Sequence, residues 1–165
     1  RMPVSIARDE ADYPAFALKP DSDGKLAYSE GVELGYRGII ASGKSARHTL
    51  GAGFGYTTFA WDDVRLEDDG ISVRVDNMGD RTGSDVVPVY RDDPDKALIG
   101  FARITLAAGQ SGRAIIRLSQ RRFASWGDDG CHIPAGPCAA VRIGRDAESP
   151  VLQVELDPRQ LPTGL

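Results

Sequence analysis

Beyond about residue 60, apolar positions recur every second residue. Ile71, Val73 and Val75 alternate with Ser72, Arg74 and Asp76, the period of a strand with one buried and one wet face. Turn signals punctuate this pattern at Asn77-Met78-Gly79-Asp80, Thr82-Gly83, 92–95 and 107–110. Between them lie short strand-like runs at 71–75, 86–90, 98–106, 113–118, 123–126, 139–143 and 151–155. Pro88 cannot donate to a ladder, so the run holding it is expected at a sheet edge or with its N–H side facing outward. Gly100 reads as a bulge. About seven strands with turns every 8–12 residues predict an all-β, immunoglobulin-like or fibronectin type III-like sandwich over residues 60–165.

Residues 1–59 show no sustained period. Val4, Ile6, Tyr13, Phe16 and Leu18 are scattered among turn formers. The reading is an irregular, extended N-terminal arm lying on a surface that the chain itself does not supply. Gly51, Gly53 and Gly55 alternate just before Tyr56, Thr57, Thr58 and Phe59. Glycines so spaced disfavour a helix and suit a hinge or a close approach.

The chain has 165 residues, 41% apolar and 27% charged, with a net charge of −4 and 19 glycines. This is the composition of a globular protein, long enough for one domain and an arm. Clustered Lys and Arg are lacking, so nucleic acid is not an expected partner. No apolar run has membrane-spanning length, so a membrane is not expected either. The chain opens Arg-Met-Pro, which reads as a piece of something longer. Its compartment, cytoplasmic or secreted, then follows the parent chain.

Candidate chemistry is sparse. Gly38, Gly43, Lys44 and Ser45 fit the P-loop pattern, but no apolar strand precedes them and glycines leave little room for a following helix. The match reads as coincidental. Carboxylate clusters at Asp62-Asp63, 67–69, 92–95 and 128–129 fall at predicted turns, without calcium-loop spacing. His48 and His132 have no orienting partner. Cys131 and Cys138 flank a predicted turn at 134–136, where either a cross-strand disulfide or two thiols fits. No catalytic residue, metal site or cofactor is expected. Trp61 and Trp126 suit either packing or stacking on sugar rings. Tyr28, Glu30, Tyr36 and Arg37, in a glycine-punctuated stretch, suit anchorage of one domain to another.

The ordered motifs resemble the C-terminal, fibronectin type III-like part of glycoside hydrolase family 3 β-glucosidases. Tyr28-Ser29-Glu30-Gly31 with Gly35-Tyr36-Arg37 is similar to the Y-x-E-G-x-x-x-G-Y-R arm of that family. Gly51-x-Gly53 with Tyr56-Thr57-x-Phe59 resembles F-G-x-G-L-S-Y-T-x-F. Asn77-x-Gly79, Gly83-x-Asp85-Val86-Val87, Leu98-x-Gly100-Phe101 and Leu106-x-x-Gly109 continue the match in order. Leu50 replaces the usual Phe, and Pro88 stands where Gln is usual.

The resemblance implies a cofactor-free, retaining glycosidase as the parent, with its catalytic residues outside this chain. This piece would be a non-catalytic module that stabilises the catalytic domains and shapes substrate access. Its expected partners are those domains, with an oligo- or polysaccharide as a further candidate. Docking candidates are Tyr28, Glu30, Gly31, Tyr36, Arg37, Gly51, Gly53 and Tyr56. The alternative is a stand-alone carbohydrate-binding or adhesive sandwich.

Overall fold

A computed structural model describes residues 1–14, 19–28, 30–92, 96–127 and 129–164, and of His132 its backbone only. Two compact units divide the chain within the glycine-rich stretch.

The larger unit comprises Phe54–Arg145 and Ser149–Leu165. Its strands are β1 (Phe59–Glu67), β2 (Gly70–Asn77), β3 (Gly83–Arg91), β4 (Leu98–Leu106), β5 (Ser111–Arg117), β6 (Ser125–Trp126), β7 (His132–Ile133), β8 (Ala139–Gly144) and β9 (Pro150–Leu156). Antiparallel pairing gives one sheet of order β1-β2-β5 and a second of order β4-β3-β8-β9. The short pair β6-β7 stands apart from both. The fold is an all-β sandwich.

Alternation explains the packing. Trp61, Ile71, Val73, Val75, Ala114 and Ile116 of the first sheet share one core with Val87, Val89, Ile99, Val141 and Ile143 of the second. Each large aliphatic side chain so buried contributes roughly 1.5–3 kcal/mol. The first sheet's wet face is a charged lattice. Arg113 donates to the Asp63 carboxylate (2.8 Å) and carbonyl (2.7 Å), and to the Ser72 hydroxyl (3.0 Å) and carbonyl (3.1 Å). Asp63 sits at φ 43° where the β1 register shifts. This bulge interrupts an edge strand that would otherwise be open to further pairing.

Three strand expectations need correction. Strand β1 was not among the seven predicted runs, because after Trp61 its polar residues dominate. The run at 123–126 shrinks to the two residues of β6, preceded by a 3-10 turn at Gln120–Arg122. Of the two alternatives for Pro88, the sheet edge fails, because β3 is an interior strand, and the outward-facing N–H side fits. Pro88 is tolerated because β3 pairs with β8 only at Val89–Arg91, so at Pro88 only the β4 side carries a ladder. Beside Gly100 the register slips, Val89 facing Gly100 and Tyr90 facing Leu98.

The smaller unit is Arg1–Gly53 with Asp146–Glu148. It is mostly irregular. Its N-terminal segment runs against its last residues: Met2 N–H reaches the Ala52 carbonyl (2.7 Å), Gly51 N–H the Met2 carbonyl (2.9 Å) and Ile6 N–H the His48 carbonyl (2.7 Å). One short helix, α1 (Tyr36–Ala41), was not expected. Ala7, Ile39 and Ala46 form its buried cluster. Val4, Ile6 and Tyr13 remain exposed, while Phe16 and Leu18 lie outside the described residues.

Candidate docking surface

Within the smaller unit, the backbone turns twice around Glu30. Gly31 N–H reaches the Tyr28 carbonyl (3.5 Å) and Glu33 N–H the Glu30 carbonyl (2.9 Å). Helix α1 then starts after Gly35 and carries Tyr36 and Arg37 in its first turn. The helix lies tight on this turn at Gly38. A Cβ there would collide with the Glu33 carbonyl and would lie 2.6–2.7 Å from the Pro14 ring. Gly38 therefore serves packing, a role that the P-loop pattern obscured.

The P-loop geometry is absent in detail. Gly43 follows the C-terminus of α1 at φ 70°, so the loop meets the electronegative end of the helix. Lys44 pairs with Asp12 at 2.6 Å. The Lys44 ammonium, hydrogen-bonded to Asp12, holds that carboxyl below its ordinary range.

Tyr28, Gly31 and Glu30 share one turn, with Tyr36 and Arg37 following on α1. Gly51 and Gly53 lie at the other end of the same unit, both at positive φ (86° and 149°). Their backbone takes the N-terminal segment, Gly53 lying 3.4 Å from Arg1 Cα if given a Cβ. Tyr56 belongs to the larger unit and is 92% exposed beside an equally exposed Phe54. Tyr28, Val32 and Leu34 are exposed too. The sequence did not single out Val32, Leu34 or Phe54; their exposure is visible only in three dimensions.

The two tryptophans separate. Trp61 is 6% exposed. Its Nε1–H donates to buried Asp85 (3.1 Å), and the Arg145 guanidinium lies 5.0 Å over its ring. Arg145 also donates to the Phe59 carbonyl. This removes Trp61 as a sugar platform. Trp126, on the β6-β7 hairpin, is 71% exposed.

Cys131 and Cys138 are exposed and free. The turn predicted between them is not the hairpin turn. Residue 131 closes the β6-β7 connection, Gly127 N–H reaching its carbonyl at 2.8 Å, while residue 138 precedes β8. The Cys131 N–H, bonded to Asp129 at 2.9 Å, holds that carboxyl below its ordinary range. Among the described residues, no group of three or more His, Cys, Asp or Glu is placed to hold a metal ion. No described helix is long and apolar enough to cross a membrane.

A family model described as "Fibronectin type III-like domain" matches residues 85–147. The chain contains a fibronectin type III-like domain. Around that domain the likeness extends to larger proteins. A β-glucosidase of Rhizobium radiobacter is 34% identical over 142 residues, covering 75% of this chain and 17% of the relative. An exo-α-(1→6)-L-arabinopyranosidase of Bifidobacterium longum is 31% identical over 87% of this chain and 21% of the relative. The crystal structure of a GH3 β-glucosidase from Bifidobacterium adolescentis superposes with a TM-score of 0.82 at 26% identity, covering 93% of this chain and 25% of that one. The chain thus spans about a fifth of the length of the curated relatives it matches. Its domain and the irregular unit before it recur together, as one part of glycoside hydrolases that are several times longer.

Proposed function

We propose that this chain is a non-catalytic module of a β-glucosidase-type glycoside hydrolase. Residues 60–165 are the sandwich, and residues 1–59 are the arm that docks on the catalytic domains of the parent. The module stabilises those domains and shapes the approach of longer glycans. The observation that carries this reading is a shared region in dissimilar enzymes. Relatives named for a β-glucosidase and for an α-L-arabinopyranosidase both match here, over about a fifth of their length. A region common to different sugar specificities suits support better than chemistry at the sugar. Exposed Tyr28, Val32, Leu34, Phe54 and Tyr56 are consistent with surfaces that the parent covers.

The test is hydrolysis of aryl β-glucoside and aryl α-L-arabinopyranoside. The full-length parent is expected to turn over at least one of them, and the purified chain neither. Turnover by the rigorously purified chain contradicts the reading.

A second reading, glycan binding by the sandwich, is favoured by the exposure of Trp126 alone. Because Trp61 is buried, a change in tryptophan fluorescence on titration with oligosaccharides would report Trp126. A flat response removes this reading.

A further inference from the structure

Alternation along β4 turns Ala102 and Ile104 to the core and leaves Phe101, Arg103 and Thr105 on the outer face of the second sheet. The register sets Phe101 directly opposite Pro88, Arg103 opposite Val86 and Thr105 opposite Ser84. Past the slip, Leu98 faces Tyr90. The centre of this face is therefore apolar or aromatic. Phe101 is 65% exposed, while Pro88 and Tyr90 are buried. The polar groups at the margins satisfy one another. Arg103 donates to the Ser84 hydroxyl at 3.2 Å, and that hydroxyl shares a hydrogen bond with Thr105 at 2.7 Å. Arg142, which faces Tyr90 from β8, pairs with Asp92 at 3.2 Å. An apolar centre inside a polar margin has the anatomy of an interface.

The other outer face of the sandwich gives the contrast. Ile115 is 60% exposed there, but Arg113 and Arg117 flank it on β5 and Ser72 lies opposite. With its lattice of Asp and Arg, that face is made for water. An antiparallel sheet is commonly wet on one face only, and an apolar outer centre on the second sheet asks for a cover.

The relatives point to the covering body. Both carry this region as about a fifth of their length. The rest of the same polypeptide is thus tethered beside the sandwich at a high effective concentration, which a separate partner does not have.

We propose that the outer face of the second sheet, centred on Phe101 and Pro88, seats against an apolar surface of the catalytic domains of the parent. This rests on the reading above that the chain is a module of such a parent. It adds a contact made by the sandwich itself, apart from the arm.

The experiment compares Phe101→Asp with Ile115→Asp in the full-length parent and in the isolated chain. In the parent, Phe101→Asp is expected to shorten the half-life of thermal inactivation at least about tenfold, because it forces a carboxylate into an apolar contact. Ile115→Asp, the same change at an equally exposed strand position, should leave it unchanged. In the isolated chain the two variants should shift the melting temperature alike. Hydroxyl-radical footprinting gives the second readout: Phe101 oxidised in the isolated chain and protected in the parent, Ile115 oxidised in both. An unchanged half-life for Phe101→Asp, or equal oxidation of Phe101 in both proteins, would overturn the proposal. Protection of Phe101 already in the isolated chain would assign the face to this chain or to a second copy of it and overturn it too. A far larger loss for Phe101→Asp than for Ile115→Asp in the isolated chain would make Phe101 an internal packing residue, with the same result. The underlying module reading fails separately, if removal of residues 54–165 leaves the half-life of the parent unchanged.

Discussion

The Thr57 hydroxyl donates to the side-chain oxygen of Asn77 at 2.6 Å, tying the entry of the sandwich to the end of β2. Asn77 is buried, and it spends its amide on the carbonyls of Arg81 (2.8 Å), Leu106 (3.1 Å) and Ala107 (3.0 Å). Its own backbone N–H reaches the Gln110 carbonyl, and its carbonyl takes the Gly109 N–H. One side chain therefore joins the start of β1, the β2–β3 turn and the β4–β5 turn. Asn77→Ala leaves several carbonyls without a donor. A loss of about 2–4 kcal/mol is expected, from several bonds each worth about 1 kcal/mol plus the unsatisfied groups. Urea unfolding of the chain measures it, and a loss below about 1 kcal/mol would show that water replaces the side chain.

Gly79 and Gly83 both press on Thr57. A Cβ at Gly79 would collide with the Thr57 hydroxyl, and one at Gly83 with its methyl. Gly83→Ala is expected to cost about 1–3 kcal/mol as overpacking. In a Thr57→Ala background that cost should fall by about 1 kcal/mol, since the methyl is gone. A double-mutant cycle reads the coupling. Simple additivity would mean that Phe59, whose ring also lies near a Cβ at Gly83, sets the clash.

On the wet face of the first sheet, hydrogen bonds from Arg65 and then Arg113 hold the Asp63 carboxyl below its ordinary range. The Ser111 hydroxyl and then Arg74 do the same for Asp76. Because folding lowers these values, their stabilisation is complete above the ordinary carboxylate range. It is lost as pH falls through the folded values, below about pH 4. The isolated chain should weaken on that acid limb. Asp63→Asn, which still tolerates the left-handed backbone, should flatten the slope of unfolding free energy against pH there. An unchanged slope would assign the acid loss to other groups.

The tryptophans should differ in solution. Acrylamide should quench Trp126 and spare Trp61. Trp61→Phe removes the Asp85 bond and is expected to cost about 2–3 kcal/mol, whereas Trp126→Ala should change stability by less than about 0.5 kcal/mol. Equal costs would contradict the separation into a packing and a surface tryptophan.

Much of the sandwich was legible because burial on one face imposes a period of two, as at Ile71, Val73 and Val75. The β1 strand was less legible, because past Trp61 it is an edge with a bulge and its residues are mostly polar. Of the two positions open to Pro88, the structure takes the one without a ladder on its N–H side and not the sheet edge: a proline forbids a ladder on one side of a residue, not the interior position of a strand. The hub at Asn77 read only as a turn, since its partners lie about thirty residues away and sequence proximity does not reveal them. Gly38 matched a phosphate loop in letters while its lack of a side chain serves the approach of Pro14 and Glu33. Tyr28, Glu30, Tyr36 and Arg37 stood out in their glycine-punctuated stretch, the other docking candidates came from the resemblance, and the half-buried state of Glu30 came from the fold.

The account rests on support of a larger enzyme, so the most direct measurement is heat inactivation of the full-length parent with and without residues 54–165. The truncated protein is expected to lose activity at least about tenfold faster at a fixed temperature, or to fail to fold. An equal half-life, with equal kcat/KM, would contradict a stabilising role for this module.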